Sequence, residues 1–259
     1  MTRNSFLLIS ASCGLIALLA PKASAQIERS VEAHGGLARW QSFGTVEYDS
    51  TFENPQGTKQ DFQVFNLRTR DGLISAETYK LGASRGEVWI KPGLDALGGT
   101  PPRFYMWTPF YFFGMPFVFA DPGAAQASLG KKNFQGREYD AVKITYKAGT
   151  GDSPDDFYVA YIDSTSGRLK LASYIVTYTA LRKGKALEEL EPHAIVFDEW
   201  QEVDGLTVPK VAQYYAWKDE NIHGEPLGKM SFLNVHFSPQ APDDAEFAKP
   251  ADAVVAPRS

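Results

Sequence analysis

Cysteine is almost missing from this chain of 259 residues; the single one, Cys13, lies in an apolar run near the N-terminus. A mature domain starting beyond it has neither disulfides nor thiol catalysis. Histidine is scarce as well. His34, His193, His223 and His236 fall in no H-x-H or H-E-x-x-H spacing, so no metal centre is expected. There is no G-x-S-x-G elbow, and no glycine-rich phosphate loop follows a strand and opens a helix. Gly151-Asp152-Ser153 resembles the nucleophile block of one lipase-like class, but the D-x-x-H that should accompany it is absent, Asp219 and His223 being one residue too far apart. The expectation is a protein that is not an enzyme and carries no cofactor. Positive charge is also lacking. Outside the first 25 residues, 24 basic residues face 31 acidic ones, which excludes the basic footprint of a nucleic-acid binder and electrostatic adsorption to anionic lipid.

The chain opens with the pattern of an exported protein. Arg3 supplies a short positive region, Phe6 to Ala20 an apolar one, and Ala23-Ser24-Ala25 a small-residue cleavage site. The expected division is a signal peptide over 1–25, cut after Ala25, and a single β domain over 26–259, periplasmic or secreted. The apolar run is too short and interrupted for a membrane span, so no transmembrane segment is expected after signal removal. Acylation of Cys13 is disfavoured because Ser10 stands where a lipobox prefers Leu, and Cys13 interrupts the apolar run where a lipobox cysteine would end it.

Two short helices are expected, Gln26 to Ala33 and Leu37 to Ser42, separated by His34-Gly35-Gly36, with His34 capping helix-end carbonyls. Strand patterns follow. Val46, Tyr48 and Phe52 share one parity; Asp61 to Thr69 ends at the turn dipeptide Asp71-Gly72; Leu73 to Lys80 and Glu87 to Lys91 read as two more strands. Val142, Ile144 and Tyr146 alternate with Lys143, Thr145 and Lys147. Phe157 to Ile162 turns through Asp163–Gly167 into a strand from Arg168 to Thr179, where the apolar parity shifts between Leu171 and Tyr174, as at a bulge. Asp155 and Asp156 read as turn residues. Ala194–Val203, Leu206–Trp217 and Leu227–Phe237 complete about ten strands. Short turns and few helices specify a mainly β fold: one curved antiparallel sheet, a half-open β-barrel, with a few covering helices.

What fills the concavity is foreshadowed by "RFYMWTPFYFFGMPFVFADPG", Arg103 to Gly123, in which nine of the sixteen residues from Phe104 to Phe119 are aromatic. Left in water, nine such side chains would forgo roughly 18 kcal/mol, more than the ~5–15 kcal/mol net stability of a domain. The segment must face the sheet. Pro109, Gly114 and Pro116 predict a broken, bent path for it. Two readings remain: the rings are simply core, or they wall and lid an apolar cavity. In the second, Phe104, Tyr105, Trp107, Phe110, Tyr111, Phe112, Phe113, Phe117 and Phe119 are the ligand-binding walls. Arg103 either meets an acidic headgroup at the rim or is a solvated surface charge, and Gly114 offers backbone freedom for lid opening.

Four stretches, "AHGGLARW" (Ala33 to Trp40), "MPFVFADPGA" (Met115 to Ala124), "YIDSTSGRLKLASYIVTY" (Tyr161 to Tyr178) and "FAKP" (Phe247 to Pro250), together resemble an uncharacterised family of secreted bacterial proteins grouped with the LolA/LolB-like lipoprotein carriers. The resemblance implies an incomplete barrel of about eleven strands, capped by helices, whose interior holds acyl chains. Relatives in that superfamily shuttle lipoproteins, sense mislocalised ones or move other lipids across the periplasm. No position here matches the carrier's functional arginine.

The expected function is a periplasmic or secreted binding or carrier protein for a lipid, an acylated molecule or another long apolar ligand, held without covalent chemistry. The alternative is an envelope protein–protein interaction module, with the aromatic segment as docking surface or as pure core and no small ligand.

Overall fold

A computed structural model describes residues 13–147, 151–153 and 155–258, with side chains from Lys22 onward. The positive region at Arg3, the start of the apolar region at Phe6 and the lipobox position at Ser10 lie outside the described residues. No described helix is long and apolar enough to cross a membrane.

The first helix, α1, runs from Cys13 to Ala33, so the expected cut after Ala25 falls within it. Ala23, Ile27 and Val31, four residues apart, are buried on one helical stripe. His34 ends the helix by donating from Nδ1 to the Ser30 carbonyl (2.7 Å). Gly35 then turns the chain at φ +109°, and a Cβ there would stand 2.3 Å from the Gly205 carbonyl oxygen; only glycine allows that approach. α2 follows as Leu37–Ser42, the expected span.

One antiparallel sheet of thirteen strands makes the body. Its first half comprises β1 (Thr45–Asn54), β2 (Gly57–Asn66), β3 (Gly72–Ser75), β4 (Lys80–Ser84) and β5 (Glu87–Lys91). The second half is β6 (Ala124–Phe134), β7 (Arg137–Tyr146), β8 (Phe157–Asp163), β9 (Leu169–Tyr174), β10 (His193–Val203), β11 (Leu206–Lys218) and β12 (Asn221–Ser238), with the short β13 (Val254–Val255) against β5. Each half is a meander, and β1 pairs with β12 to join them in the order β13-β5-β4-β3-β2-β1-β12-β11-β10-β9-β8-β7-β6. Register shifts interrupt five of the ladders, bending the strands into an open trough.

Three expectations are corrected. Residues 73–80 are not one strand: Ala76 N donates to the Tyr79 carbonyl (2.9 Å) in a turn that separates β3 from β4. β9 ends at Tyr174 rather than Thr179, and its bulge lies earlier than expected. Tyr161 faces Leu171 while Ile162 faces Leu169, so Lys170 is the extra residue. Leu169 and Leu171 therefore belong to opposite faces, the former in the main core and the latter in a small outer cluster with Tyr161 and Trp217. Third, the described residues form thirteen strands, more than the ten or so read from the pattern or the eleven or so implied by resemblance.

The aromatic stretch fills the trough as a helix, α3 (Pro102–Phe113), followed by a 3-10 turn at Phe117–Ala120. Pro109 does not break α3. It removes one ladder hydrogen bond, but the helix is packed on nearly every side, and Gly114 N still closes its end on the Phe110 carbonyl (2.8 Å). Gly114 itself is helical, and a Cβ there would lie 2.7 Å from Val118 Cγ1, so it serves close packing rather than lid motion.

A buried polar chain pins α3 to the sheet. Asp61 Oδ2 accepts from the hydroxyls of Tyr79 and Tyr105 (both 2.7 Å), and Oδ1 from Gln63 Nε2 (2.7 Å). Gln63 Oε1 in turn accepts from Tyr48 Oη (3.0 Å). Burial, then the Asp61 charge, pushes all three phenols well above their ordinary range, keeping them neutral donors.

Candidate functional site

The faces of α3 are unequal. Tyr105, Met106, Phe110 and Phe113 are buried, with Phe110 on Phe65 of β2 (4.6 Å between ring centroids) and Phe113 on Tyr48 of β1 (4.5 Å). Phe104, Trp107, Thr108 and Tyr111 form a half-buried stripe at helical spacing. That stripe lines a cleft of about 250 Å³. Opposite stand Tyr146 at the end of β7, Tyr158 on β8, Tyr174 at the end of β9, and the following residues Ile175, Val176 and Tyr178. Gly151, Asp152, Ser153 and Asp156 complete the wall.

Of the ten residues expected to form a binding site, Arg103, Phe104, Trp107, Tyr111 and Phe112 line this cleft. Tyr105, Phe110, Phe113, Phe117 and Phe119 lie in the core instead; Phe117 stacks on Trp40 (4.6 Å, 5°). No residue from Arg103 to Phe119 is fully exposed; Phe104, Trp107, Thr108 and Tyr111 are half-buried and the rest are buried.

Arg103 is not a solvated surface charge. It is 5% exposed and bidentate on Asp152, through Nε (2.6 Å) and Nη2 (2.9 Å), while Nη1 donates to the Gly86 carbonyl (3.2 Å). Its guanidinium carbon also lies 5.6 Å from the Trp107 ring. Asp152, one of the turn residues that resembled a nucleophile block, is thus a structural counter-ion. Asp152→Ala would leave this buried cation unpaired and is expected to lower stability by about 2 kcal/mol, read from a urea midpoint. Arg103→Met should lose less, because an apolar side chain of similar length needs no partner. Equal losses would mean that the ion pair is not what holds the 151–153 loop.

Asp156 behaves differently. Its Oδ1 accepts from Thr177 N (2.8 Å) and Thr177 Oγ1 (2.6 Å), tying the turn before β8 to the segment after β9. Burial raises its pKa, opposed by the Thr177 hydrogen bonds. The surrounding phenols Tyr146, Tyr158 and Tyr174 are pushed up, first by burial and then by neighbouring charge that includes Asp156. The hydroxyls of Tyr111 and Tyr146 are in direct hydrogen-bond contact.

None of the four histidines lines the cleft, and no cluster of three or more metal-ligating side chains occurs among the described residues. A second recess, about 590 Å³, lies between α2 and the 67–70 turn, with Trp40, Phe43, Arg68 and the Arg70–Asp121 ion pair (2.6 Å) in its walls. It is larger but has only two rings; the α3 cleft combines ring walls with a carboxylate, Asp156, that no described residue ion-pairs, and is the better candidate.

The strand tyrosines and Asp156 escape a reading confined to the aromatic stretch. Tyr146 and Tyr174 were on apolar parities, a signal for facing inward, but their meeting with α3 is set by the sheet alone.

A curved antiparallel trough plugged by a helix, with a ring-walled cleft beside that helix, is a LolA-like half-barrel. Residues 103–225 match the model of a family of unknown function (DUF6503), a span that contains every residue lining the cleft. The chain is similar in structure to a LolA-superfamily protein from Nitrosomonas europaea, at TM-score 0.55 and 9% identity, over 88% of this chain and 97% of that one. It is also similar to a DUF1329-family protein from Desulfovibrio piger, at TM-score 0.50 and 11% identity, over 87% and 97% respectively. None of the curated proteins matches the chain in sequence. At such identities the likeness establishes the fold.

Proposed function

We propose that this protein is a binding or carrier protein of the cell envelope, periplasmic or secreted, for a lipid or other molecule with an apolar tail. The observation that carries the reading is the half-buried stripe Phe104, Trp107 and Tyr111 facing strand tyrosines across a cleft of about 250 Å³. Rings left partly open inside a fold that buries so many others mark space meant for an apolar guest. The volume lies just below the ~300–1,000 Å³ usual for small-ligand sites. It suits one end of a ligand, with the remainder passing out along the α3 stripe. The N-terminal export pattern supports the location, and the LolA-like fold supports carriage over catalysis.

The test is titration with a fluorescent fatty-acid probe. Trp107→Ala combined with Tyr111→Ala is expected to weaken binding about tenfold, the loss of two ring contacts at roughly 0.7 kcal/mol each, while far-UV circular dichroism is preserved. Unchanged affinity in a folded variant would overturn the cleft assignment, and no binding by the wild type would overturn the carrier reading.

A further inference from the structure

Resting on that reading, we propose that the head of the ligand seated in the cleft is cationic: a quaternary ammonium or protonated amine at the end of an apolar tail, received by the faces of Tyr146, Tyr158 and Tyr174 and by the carboxylate of Asp156. Two independent observations converge. The first is the ring geometry. Tyr158 is the hub of a tyrosine cluster: Tyr174 is stacked beside it (5.8 Å), Tyr146 stands nearly perpendicular (6.3 Å, 86°) and Tyr111 is tilted above (5.2 Å). Tyr111 and Tyr146 also meet at 75°. These rings pack on one another at differing angles and together line the cleft, and a cation seated against a ring face is attracted by its quadrupole. A fully apolar head gains nothing from that arrangement, and an anion is repelled by ring faces.

The second observation is the charge balance. Two carboxylates line the cleft, Asp152 and Asp156, against one cation, Arg103. Arg103 is consumed by Asp152 and the Gly86 carbonyl. Asp156 forms no ion pair with any described residue, and both hydrogen bonds it accepts, from Thr177, fall on Oδ1. Asp156 is half-buried, a carboxylate in such a setting favours a nearby positive charge, and a ligand cation beside it would supply that charge. The same feature disfavours fatty-acid carboxylates and phosphates as the seated end, so such a ligand would enter tail first.

Calorimetric titration of the wild-type protein with decyltrimethylammonium, decylammonium, decanol and decanoate, all below their micelle concentrations, separates the possibilities. The cations are expected to bind about tenfold more tightly than decanol, the size of one desolvated cation–π contact, and decanoate more weakly than either. Comparison of the two cations separates a quaternary from an amine head. Asp156→Asn keeps an acceptor for Thr177 and should reduce the cation advantage, read as the ratio of cation to decanol affinity within the same variant. Should that variant fail to fold, Tyr158→Leu, which keeps an apolar wall without the ring face, is expected to reduce the same advantage. Decanol or decanoate binding as tightly as the cations, or an undiminished advantage in folded Asp156→Asn, overturns the inference and leaves the carrier reading standing. Failure of all four to bind overturns both.

Discussion

Phe113→Ala should destabilise the protein by about 3–5 kcal/mol, at the upper end of single core substitutions. Phe113 is fully buried. It stacks on Tyr48 from β1 (4.5 Å, 26°), meets Phe232 from β12 edge-on (5.3 Å, 62°) and lies 6.3 Å from Phe237. Each neighbour is fixed by its own strand, and Tyr48 is tied to Gln63 besides, so the vacated space cannot be filled by small shifts. Phe104→Ala, on the half-buried stripe one side of the same helix, is expected to cost only about 1 kcal/mol, the part of its transfer energy already realised. Urea unfolding of the two variants measures the contrast. The ligand probe should report the reverse order, weakened by Phe104→Ala and little changed by Phe113→Ala at temperatures where it stays folded. A loss below about 1 kcal/mol for Phe113→Ala would mean that the aromatic stretch is lid rather than core.

That contrast marks how far the sequence could be read. Where a strand has one wet face, its parity is legible: Val46 and Tyr48 lie inward as expected, and Val142 and Ile144 likewise on β7. The α2 span follows from local chemistry in the same way, whereas the turn expected at Asp71-Gly72 falls earlier: β2 ends at Asn66, Arg70 N closes the turn on the Asn66 carbonyl (2.9 Å), and Gly72 already belongs to β3. β6 gave no such signal, because Ala124–Phe134 is an edge strand of small and basic residues whose one deeply buried ring, Phe134, comes at its end. Local rules misled at Pro109, where burial of a whole helix outweighs one missing hydrogen bond. Three of the four stretches carrying the family resemblance hold junctions of the fold. Gly35 seats α1 on the turn between β10 and β11, Asp163 Oδ1 accepts from Thr165 N and Ser166 N in the β8–β9 turn, and the Phe247 carbonyl receives Trp89 Nε1 (2.9 Å). Residues that set an architecture are legible through resemblance to a family, and they say little about cargo.

The candidate site was half legible for a related reason. Periodicity along α3 distinguishes the Phe104/Trp107/Tyr111 stripe from the Tyr105/Phe110/Phe113 side only once the stretch is known to be helical, and Pro109 argued against that. Tyr146, Tyr158, Tyr174 and Asp156 come from three strands and a turn, brought together by ladders whose register depends on the bulge at Lys170. Spacing along the chain does not encode that meeting.

Acidification should destabilise the protein in a window that His34 defines. Its side chain is fully buried at the junction of α1 and α2, edge-on to Trp200 (4.6 Å), with Nδ1 donating to the Ser30 carbonyl and Nε2 without a hydrogen-bond partner. Desolvation lowers its pKa from 6.5 to about 4, against the raising effect of the Ser30 hydrogen bond and with a smaller lowering push from Arg168. Between those two values the unfolded chain binds a proton that the folded one refuses, so stability falls as the pH drops through 6.5 and the loss is complete near 4. The shift corresponds to roughly 3 kcal/mol. His193, part-buried and also lowered by desolvation, adds to the slope in the same direction. Asp140 and Asp163, whose pKa values are lowered, lose their contributions below 3.8, while the raised Asp121 and Asp156 act oppositely above it. His34→Leu isolates the term. It gives up the Ser30 hydrogen bond at every pH, but the difference in unfolding free energy between variant and wild type should shrink by roughly 3 kcal/mol from pH 7 to pH 4. A difference that stays constant with pH would show that His34 is protonated in the folded protein as readily as in the unfolded chain, and that its junction is open to water.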